Sequence, residues 1–587
     1  MNGKRLDNGK QMYFSRRMFY RFLLPSLLSS AGLSLGNIVD SLVIGSRMGE
    51  SGLAAIGLIA PIYMIYNVFD LGIAIGGSVY YTRVLGEGKA GDGIRSFNQM
   101  LYLSLAASLS ISVLGNLFLP QIMTILGTEP SDGALYEAAG NYAKILLTAA
   151  PLFFLQFLMY YYIRCDNNQK LAAIGFITGN TIDIILNFVF VIILDMGVKG
   201  AIFATVIGKA AAICIYLPHL FLPHTILALR LVKPDIRHDF HNFRCGFATS
   251  SQFIFQFLFL IIINHILMRI GGEAGLAVFN VVVNLSYVLY AVYDGAGSAI
   301  QPLAGTFYGE RNYKAQKNTL RIGLRWGLAI GLVTALSAGA LAARICMAFG
   351  LREEVIPLGI RAVRLFCLGA LCGGYSIMMG YYYQAVKRVK LVFLINFLRT
   401  FAVYLTFSLF FKSFGIQAFW WTFPATEAAA LILWLLWRRH ENKRSSVQTE
   451  DLDESRIYNR VIEKKEDLSL LISETDAFCK RWSAGFTQKY YVNLTIEELC
   501  AAIFRNGLAG MENGYLELTL IAGEDATFEL HIRDNASRYN PFDITTGRIG
   551  GEDGEGMNTI GILIVKNKTK EFFYRHYQGF NTITVRV

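Results

Sequence analysis

Gly49-Glu50-Ser51-Gly52-Leu53-Ala54 returns as Gly272-Glu273-Ala274-Gly275-Leu276-Ala277, a shift of 223 residues. Two further pairs keep the same offset: Gly86-Glu87 with Gly309-Glu310, and Ile122 to Gly127 with Ile345 to Gly350. The offset then drifts: Tyr160-Tyr161-Tyr162 recurs at Tyr381-Tyr382-Tyr383, and Gly197-Val198 at Gly415-Ile416. Three ungapped matches at one offset mark an internal duplication. The duplicated part is apolar, and duplicated membrane bundles place a transport path between their halves.

Of 587 residues, 54% are hydrophobic and 17% charged, where a soluble chain carries roughly a quarter charged. Twelve apolar runs long enough to cross a bilayer are read at approximately 19–45, 53–81, 97–120, 141–163, 171–194, 200–222, 246–269, 277–304, 323–343, 361–384, 391–411 and 417–437. Pro25, Pro61, Pro151, Pro302 and Pro424 fall inside these runs, which a membrane bundle tolerates because neighbours satisfy the freed backbone groups. The expected fold class is an all-α polytopic membrane protein of two six-helix lobes, followed by a C-terminal α/β sandwich.

Basic residues cluster in alternate loops: Arg83, Lys89 and Arg95; Arg164 and Lys170; Arg230 to Arg244; Arg311 to Arg321; Lys387 to Lys390; and Arg438 to Arg444. By the positive-inside rule these loops and both termini are cytoplasmic, in a bacterial inner membrane. The net charge of +11 is then a membrane-topology signal, and no nucleic-acid partner is expected. Six spans per copy is an even number, so both lobes insert with the same orientation. The eight cysteines form no C-x-x-C pair, which points to neither disulfides nor a metal site. Lys4, Arg5, Lys10, Arg16, Arg17 and Arg21 open the chain with no short apolar core and cleavage site behind them, so no signal peptide is read.

The domain reading is an N-terminal lobe over 1–222, an inter-lobe loop over 223–245, a C-terminal lobe over 246–439, a linker over 440–467 and a soluble domain over 468–587. In the last of these, Leu494 to Leu508 has helical periodicity, while Tyr515 to Leu520 and Thr527 to Ile532 alternate like strands. Gly547 to Gly556 reads as a loop, and Phe572 to Tyr577 with Asn581 to Val587 as a closing hairpin.

Asn37-Ile38-Val39-Asp40, Val43-Ile44-Gly45, Gly76-Gly77-Ser78, Leu85-Gly86-Glu87-Gly88, Gln301-Pro302-Leu303 and Tyr308 to Tyr313 occur in that order. Over about Arg16 to Arg439 the chain resembles the multidrug and toxic compound extrusion (MATE) family. The resemblance implies a two-lobed exporter that exchanges organic cations for protons or sodium by alternating access. It implies a functional acid in the first span, where Asp40 stands, and polar groups in the fifth. There the family's Asn-then-Asp order is reversed, as Asp183 and Asn187, with Asn180 just before. An early seventh-span acid is missing, Gln252 and Gln256 being nearest, so the coupling ion stays open between Na⁺ and H⁺. No other cofactor is required.

From the residues themselves, charge in hydrocarbon must face the bundle interior. Asp40, Asp70, Asp183, Lys209, His265, Asp294, Arg399 and Glu427 are such charges. Asp183 and Asn187 share a helical face, and a buried carboxylate can exchange a proton near neutral pH or, with more oxygens, hold Na⁺. The expected coupling set is Asp40, Asn180, Asp183, Asn187 and Lys209, with Asp70, Asp294, Arg399 and Glu427 as secondary charges. A shift of 218 pairs Lys209 with Glu427. Lys209 is thus read as neutralising Asp40 or Asp183 in the empty carrier, and Glu427 as partnering Arg399. Tyr63 and Tyr66 are aromatic candidates for a cation cavity.

Ile496-Glu497-Glu498-Leu499, Ile532-Arg533-Asp534-Asn535, Tyr539-Asn540-Pro541-Phe542, Gly556 and Ile560 to Lys566 follow one another in the soluble part. About Leu468 to Val587 resembles the histidine-kinase-like ATPase (GHKL) fold, in its anti-sigma-factor serine kinase branch. The resemblance implies ATP and Mg²⁺, Glu498 as base, Asp534 on the adenine amino group, and Asn535, Gly556 and Gly561 around the nucleotide. Ala502 stands where that fold has its metal-holding Asn, and Ala536 replaces a glycine. The lid acids Glu552, Asp553 and Glu555 would repel phosphates. Both departures argue against phosphoryl transfer and for a regulatory tail that meets a nucleotide or a cytoplasmic protein. The expected function is ion-coupled antiport of organic cations, drugs or metabolites. The alternatives are a lipid-linked flippase and a membrane sensor signalling through the kinase-like domain.

Overall fold

The structure is a computed structural model. It describes the backbone of residues 2–587 except 127, 129, 131–132, 223–224, 350, 446–453, 524–526, 544–554, 570 and 578. Side chains are described for the same residues, leaving out also 2–16, 33, 35, 37–57, 60, 134, 261, 273, 441–445, 454 and 555–560. The chain divides into two units: Phe19–Val84 with Gly91–Lys443, and Met1–Met18 with Leu85–Ala90 and Arg444–Val587.

The first unit is a helical membrane bundle. Among the described residues, ten helices are long and apolar enough to cross a bilayer: Pro61–Gly86, Ala90–Leu117, Gln169–Ile193, Gly197–Phe221, Ile236–Gly272, Ala274–Gly309, Tyr313–Ala340, Ile356–Ala385, Val389–Phe414 and Ile416–His440. A bent pair of helices, Leu135–Thr148 meeting Ala150–Cys165 at 51°, is together long and apolar enough to count as an eleventh. These eleven lie where the sequence places spans two to twelve; the backbone of the expected first span, 19–45, is helical and runs without a break into the second, within a helix over Asn2–Gly86, and its side chains at 33, 35 and 37–45 lie outside the described residues. The break is a departure from the single helix expected over 141–163. Its cause is Pro151, which lacks an amide hydrogen and crowds the carbonyl one turn back. The repeated Gly272 also has a structural meaning. Its φ of 56° breaks what would otherwise be one helix from Ile236 to Gly309, a conformation glycine adopts without strain.

The two lobes meet backbone to backbone through glycines. A Cβ on Gly76 would lie 2.0 Å from the Asn242 carbonyl oxygen, and one on Gly246 only 1.9 Å from that of Gly72. The repeat mirrors this crossing: Gly295, 223 residues after Gly72, would place a Cβ 2.8 Å from Leu27 Cα. Small residues let membrane helices approach this closely. Gly246→Ala is therefore expected to cost about 3 kcal/mol of bundle stability, seen as a lower melting temperature of the purified protein.

The second unit contains a five-stranded antiparallel sheet in the order β1-β2-β3-β5-β4, with β1 Ile457–Ile462, β2 Leu516–Ala522, β3 Phe528–Asp534, β4 Glu571–Tyr577 and β5 Phe580–Arg586. The expected strands and hairpin are present. β1 falls inside the stretch read as a linker, where Ile457 pairs with Ile521 and Ile462 with Leu516. Helices Leu468–Arg481, Phe486–Ala502 and Glu555–Lys568 accompany the sheet. Its apolar face (Leu516, Leu518, Leu520, Leu530, Ile532, Ile583) joins Leu471, Ile496, Leu499 and Val565 in one core. The other face is polar but also buried. Asn459 donates to Glu517 and Thr519, Arg533 pairs with Glu517 at 3.4 Å, and His531 meets Glu529 at 2.8 Å. Leu85–Ala90 belongs to this unit, and Arg586 donates to the Glu87 carbonyl at 3.0 Å.

Candidate functional site

In the N-terminal lobe the helices Gln169–Asn187 and Gly197–Tyr216 touch at Gly179 and Gly208. A Cβ on Gly208 would lie 2.6 Å from the Gly179 carbonyl oxygen and 3.0 Å from Asp183 Cβ. That contact carries Asp183 against the turn that holds Lys209. Asp183 and Asn187 are both buried, and the Asn187 amide donates to Asp183 at 3.3 Å. The Thr205 hydroxyl, on the facing helix, donates to the Ala201 carbonyl at 3.2 Å, and Lys209 lies within electrostatic reach of both Asp183 and Asp70. Lys209 Nζ sits 5.9, 5.6 and 5.8 Å from the ring centroids of Phe153, Phe157 and Phe176, the range of cation–π attraction. The amide nitrogen of Asn180 is buried with no hydrogen-bond partner among the described residues. A π-helical turn, Phe188–Ile193, follows Asn187 directly, a distortion that clusters at functional sites. Asp40 lies outside the described residues.

The C-terminal lobe holds a tighter cluster. Arg399 Nε donates to both oxygens of Glu427, at 2.9 and 2.8 Å, and the Tyr290 hydroxyl donates to Oε1 at 2.9 Å. The guanidinium also lies 4.8 Å over the Tyr290 ring. Arg399 is carried by a second π-helical turn, Leu398–Ala402. The two lobes thus carry charge pairs of opposite polarity. The acid Asp183 precedes the cation Lys209 in the first copy, and the cation Arg399 precedes the acid Glu427 in the second.

Asp70 is buried, and Asp294 accepts from Tyr381 at 3.5 Å. Tyr161 lies within electrostatic reach of both acids. Tyr63 and Tyr66 are bonded inside the lobe, to the Tyr142 hydroxyl and the Leu146 carbonyl, each at 2.9 Å. His265 is exposed on its helix.

Sequence reasoning missed a buried network around Asp166. This carboxylate accepts from the Tyr81 hydroxyl at 2.6 Å, from His219 at 3.0 Å, and from the backbone amides of Ile226 and Leu227. It tethers the chain just beyond the Gly197–Phe221 span to the N-terminal lobe. The available signal was a lone acid in an otherwise basic loop.

In the C-terminal unit Asp534 is fully buried. Its Oδ1 accepts from Asn581 at 2.7 Å and from the Ala536 amide at 3.0 Å, while Oδ2 is buried without a hydrogen-bond partner among the described residues. Burial pushes the carboxyl up to about 6, against the lowering effect of those two bonds. Glu498 packs on Gly561, where a Cβ would lie 2.1 Å from its carboxyl carbon. Burial, then the neighbouring Glu497, raise its pKa. Asn535 turns away into a tight loop, accepting from the Tyr515 amide at 2.8 Å and donating to the Asn513 carbonyl. Gly556 lies in the first turn of the Glu555–Lys568 helix, and residues 544–554 of the glycine-rich stretch lie outside the described residues.

With this geometry in hand, the family comparison is direct. The MatE family profile matches residues 25–189 and 249–409, one match per copy of the repeat. The chain belongs to the MatE family. It is an integral membrane secondary transporter, not an enzyme. Its MatE relatives include a probable multidrug resistance protein, YoeA, of Bacillus subtilis, 23% identical over 59% of this chain and 75% of the relative. The multidrug resistance protein NorM of Aliivibrio fischeri is 23% identical over 73% of this chain and 96% of the relative. Among solved structures, an outward-facing MATE family transporter superposes with a TM-score of 0.69 at 20% identity, covering 76% of this chain and 99% of the other. A transporter from Pyrococcus furiosus, described as having a binding pocket of reverse polarity, gives 0.67 at 21% identity with the same coverage. The family match ends at residue 409, before the C-terminal unit.

Proposed function

We propose that this MatE protein is an ion-coupled antiporter that exports organic cations from the cytoplasm of a bacterial cell, with both termini inside. The observation that carries this reading is the setting of Lys209: an ammonium among three phenylalanines, shared by Asp70 and Asp183. Carboxylates beside aromatic faces are what an organic cation needs, and Lys209 is a tethered stand-in for it. Asp183, Asn187 and Asn180 supply oxygens for a proton or Na⁺, and Asp40 is assigned to the same set through the family resemblance. The multidrug names of the relatives fit this better than a lipid-linked flippase. Full-length protein in liposomes is expected to move a fluorescent organic cation against an inward proton or sodium gradient. Transport that ignores both gradients would overturn the proposal.

For the tail, we infer adenine-nucleotide binding without phosphoryl transfer, as a regulatory input to the carrier. The Oδ2 of Asp534, unpartnered among the described residues, supports it, as the acceptor that the family resemblance assigns to an adenine amino group. The placement of Leu85–Ala90 in the same unit as the tail sheet supports a regulatory role. Asp534→Asn separates binding from stability. With its folded pKa raised to about 6 from 3.8, this group favours folding at low pH, and that contribution is lost as pH rises through 6. The amide does not ionise, so the variant is expected to gain up to about 3 kcal/mol of tail stability above pH 6. Its amide NH₂ would face another donor, so a fluorescent ATP analogue is expected to bind at least about tenfold more weakly. Unchanged nucleotide binding would count against the assignment.

A further inference from the structure

The sequence places Arg164 among the loop cations, yet it is one of the most deeply buried large side chains among the described residues, 1% exposed, with no carboxylate of theirs in contact with it. Its Nη2 donates to Gln301 Oε1 at 3.1 Å; Gln301 Nε2 donates to Gln384 Oε1 at 3.0 Å; and Gln384 Nε2 donates to the Cys245 carbonyl at 3.2 Å. Arg164 comes from the N-terminal lobe, Gln301 and Gln384 from the C-terminal lobe, and Cys245, in the stretch read as the inter-lobe loop, stands on the helix Ile236–Gly272 that opens the C-terminal lobe. The guanidinium rests on Tyr161 and Tyr160, at 4.7 and 5.6 Å from their ring centres, and its Nε and Nη1 are buried without hydrogen-bond partners among the described residues.

We propose that Arg164, Gln301 and Gln384 are a cross-lobe latch that holds the transport path shut at its basic end. All participants sit near helix ends that open onto the basic loops: the ends of Ala150–Cys165, Ala274–Gly309 and Ile356–Ala385, and the beginning of Ile236–Gly272. The glycine crossing of Gly72 and Gly76 on Asn242 and Gly246 closes the same end, as does Gly305 against Thr82. The choice of amides over carboxylates is what makes this a latch. An arginine–carboxylate pair at this depth would resist separation, because parting it strands a charge in low dielectric. A guanidinium–amide bond is stronger than a neutral hydrogen bond, but parting it strands no second charge, and it breaks and reforms at each cycle. The tyrosines keep Arg164 with its own lobe through both states.

This inference rests on the alternating-access reading above, so its test reads conformation and not transport. Cys245 is part-buried beside the latch and serves as the reporter. Full-length protein in lipid nanodiscs is treated with a water-soluble maleimide, and labelling at Cys245 is followed by peptide mass spectrometry. Gln301→Leu removes the bond and is expected to speed labelling about fivefold; Gln301→Glu gives Arg164 a counter-charge and is expected to slow it about fivefold. Opposite signs support the latch. A change in the same direction in both variants, or none in either, overturns it, whether or not the protein transports.

Discussion

Glu427→Gln is expected to lower the stability of the membrane unit by about 3–5 kcal/mol. Among the described residues Glu427 is the carboxylate in direct contact with Arg399: both its oxygens accept from Nε, and Tyr290 completes the site. Removing the negative charge leaves the cation of Arg399, a residue only 8% exposed, with no carboxylate in direct contact among the described residues. The cost comes mainly from this stranded cation and not from the lost attraction. Arg399→Met combined with Glu427→Leu is therefore expected to recover most of the loss, because well-packed apolar side chains can replace a buried pair at little cost. Tyr290→Phe, which removes one hydrogen bond, is expected to cost only about 1–2 kcal/mol. Melting temperatures of the purified variants decide it. A double variant as unstable as Glu427→Gln would show that packing, and not charge balance, governs this site. A stable Glu427→Gln would show that water reaches Arg399.

The second large effect is expected from Lys209→Ala. Lys209 is the cation common to Asp70 and Asp183, and in the proposed cycle it occupies the acids whenever neither ion nor substrate does. Without it, the coupling ion must fill that role in every conformation, including the return of the empty carrier. Energy-linked transport should then fall at least about tenfold while downhill exchange of a fluorescent cation persists. Lys209→Arg keeps the charge, but its planar fork suits the three-ring cage poorly, so partial coupling is expected. Liposome assays under imposed gradients separate the two activities. Full coupling in Lys209→Ala would remove Lys209 from the mechanism. Equal loss of both activities would make it a structural residue.

The charge-inverted repeat shows what was readable in advance and what was not. The offset of 218 already paired Lys209 with Glu427, because repeated positions survive as spacing even when the side chains diverge. Of the partners expected for these charges, the structure forms Glu427 with Arg399, at 2.8 Å, while the aromatic setting of Lys209 was not foreseen. Arg399 lies 28 residues before Glu427, and only the packing of the last two helical spans makes them neighbours. The three phenylalanines around Lys209 come from two helices, and among the chain's 42 phenylalanines nothing singled them out. Arg164 was the opposite case. Its position at a helix end beside other cations reads as a solvated loop, and burial against Tyr160, Tyr161 and Gln301 is a property of the assembled lobes alone. Pro151 had a local effect that the spans tolerated elsewhere: Pro302 sits inside its helix, while Pro151 breaks one.

In the C-terminal unit the strands were legible from the two-residue alternation of Leu516 to Leu520. The burial of their polar face was not, because alternation tells which side chains share a face and not what covers it. β1 was missed for a related reason. Ile457 to Ile462 lacks alternation of its own and is a strand because β2 offers it an edge.

By itself the sequence determined the duplication, eleven of the described membrane spans and the family, since all three depend on periodicity and order along the chain, which bilayer thickness and backbone hydrogen bonding translate directly into helices. The tertiary structure alone decided the aromatic setting of Lys209 and the cross-lobe partners of Arg164, because contacts between residues tens to hundreds apart depend on how helices cross, and those crossings are set by glycines at single positions such as Gly76 and Gly246.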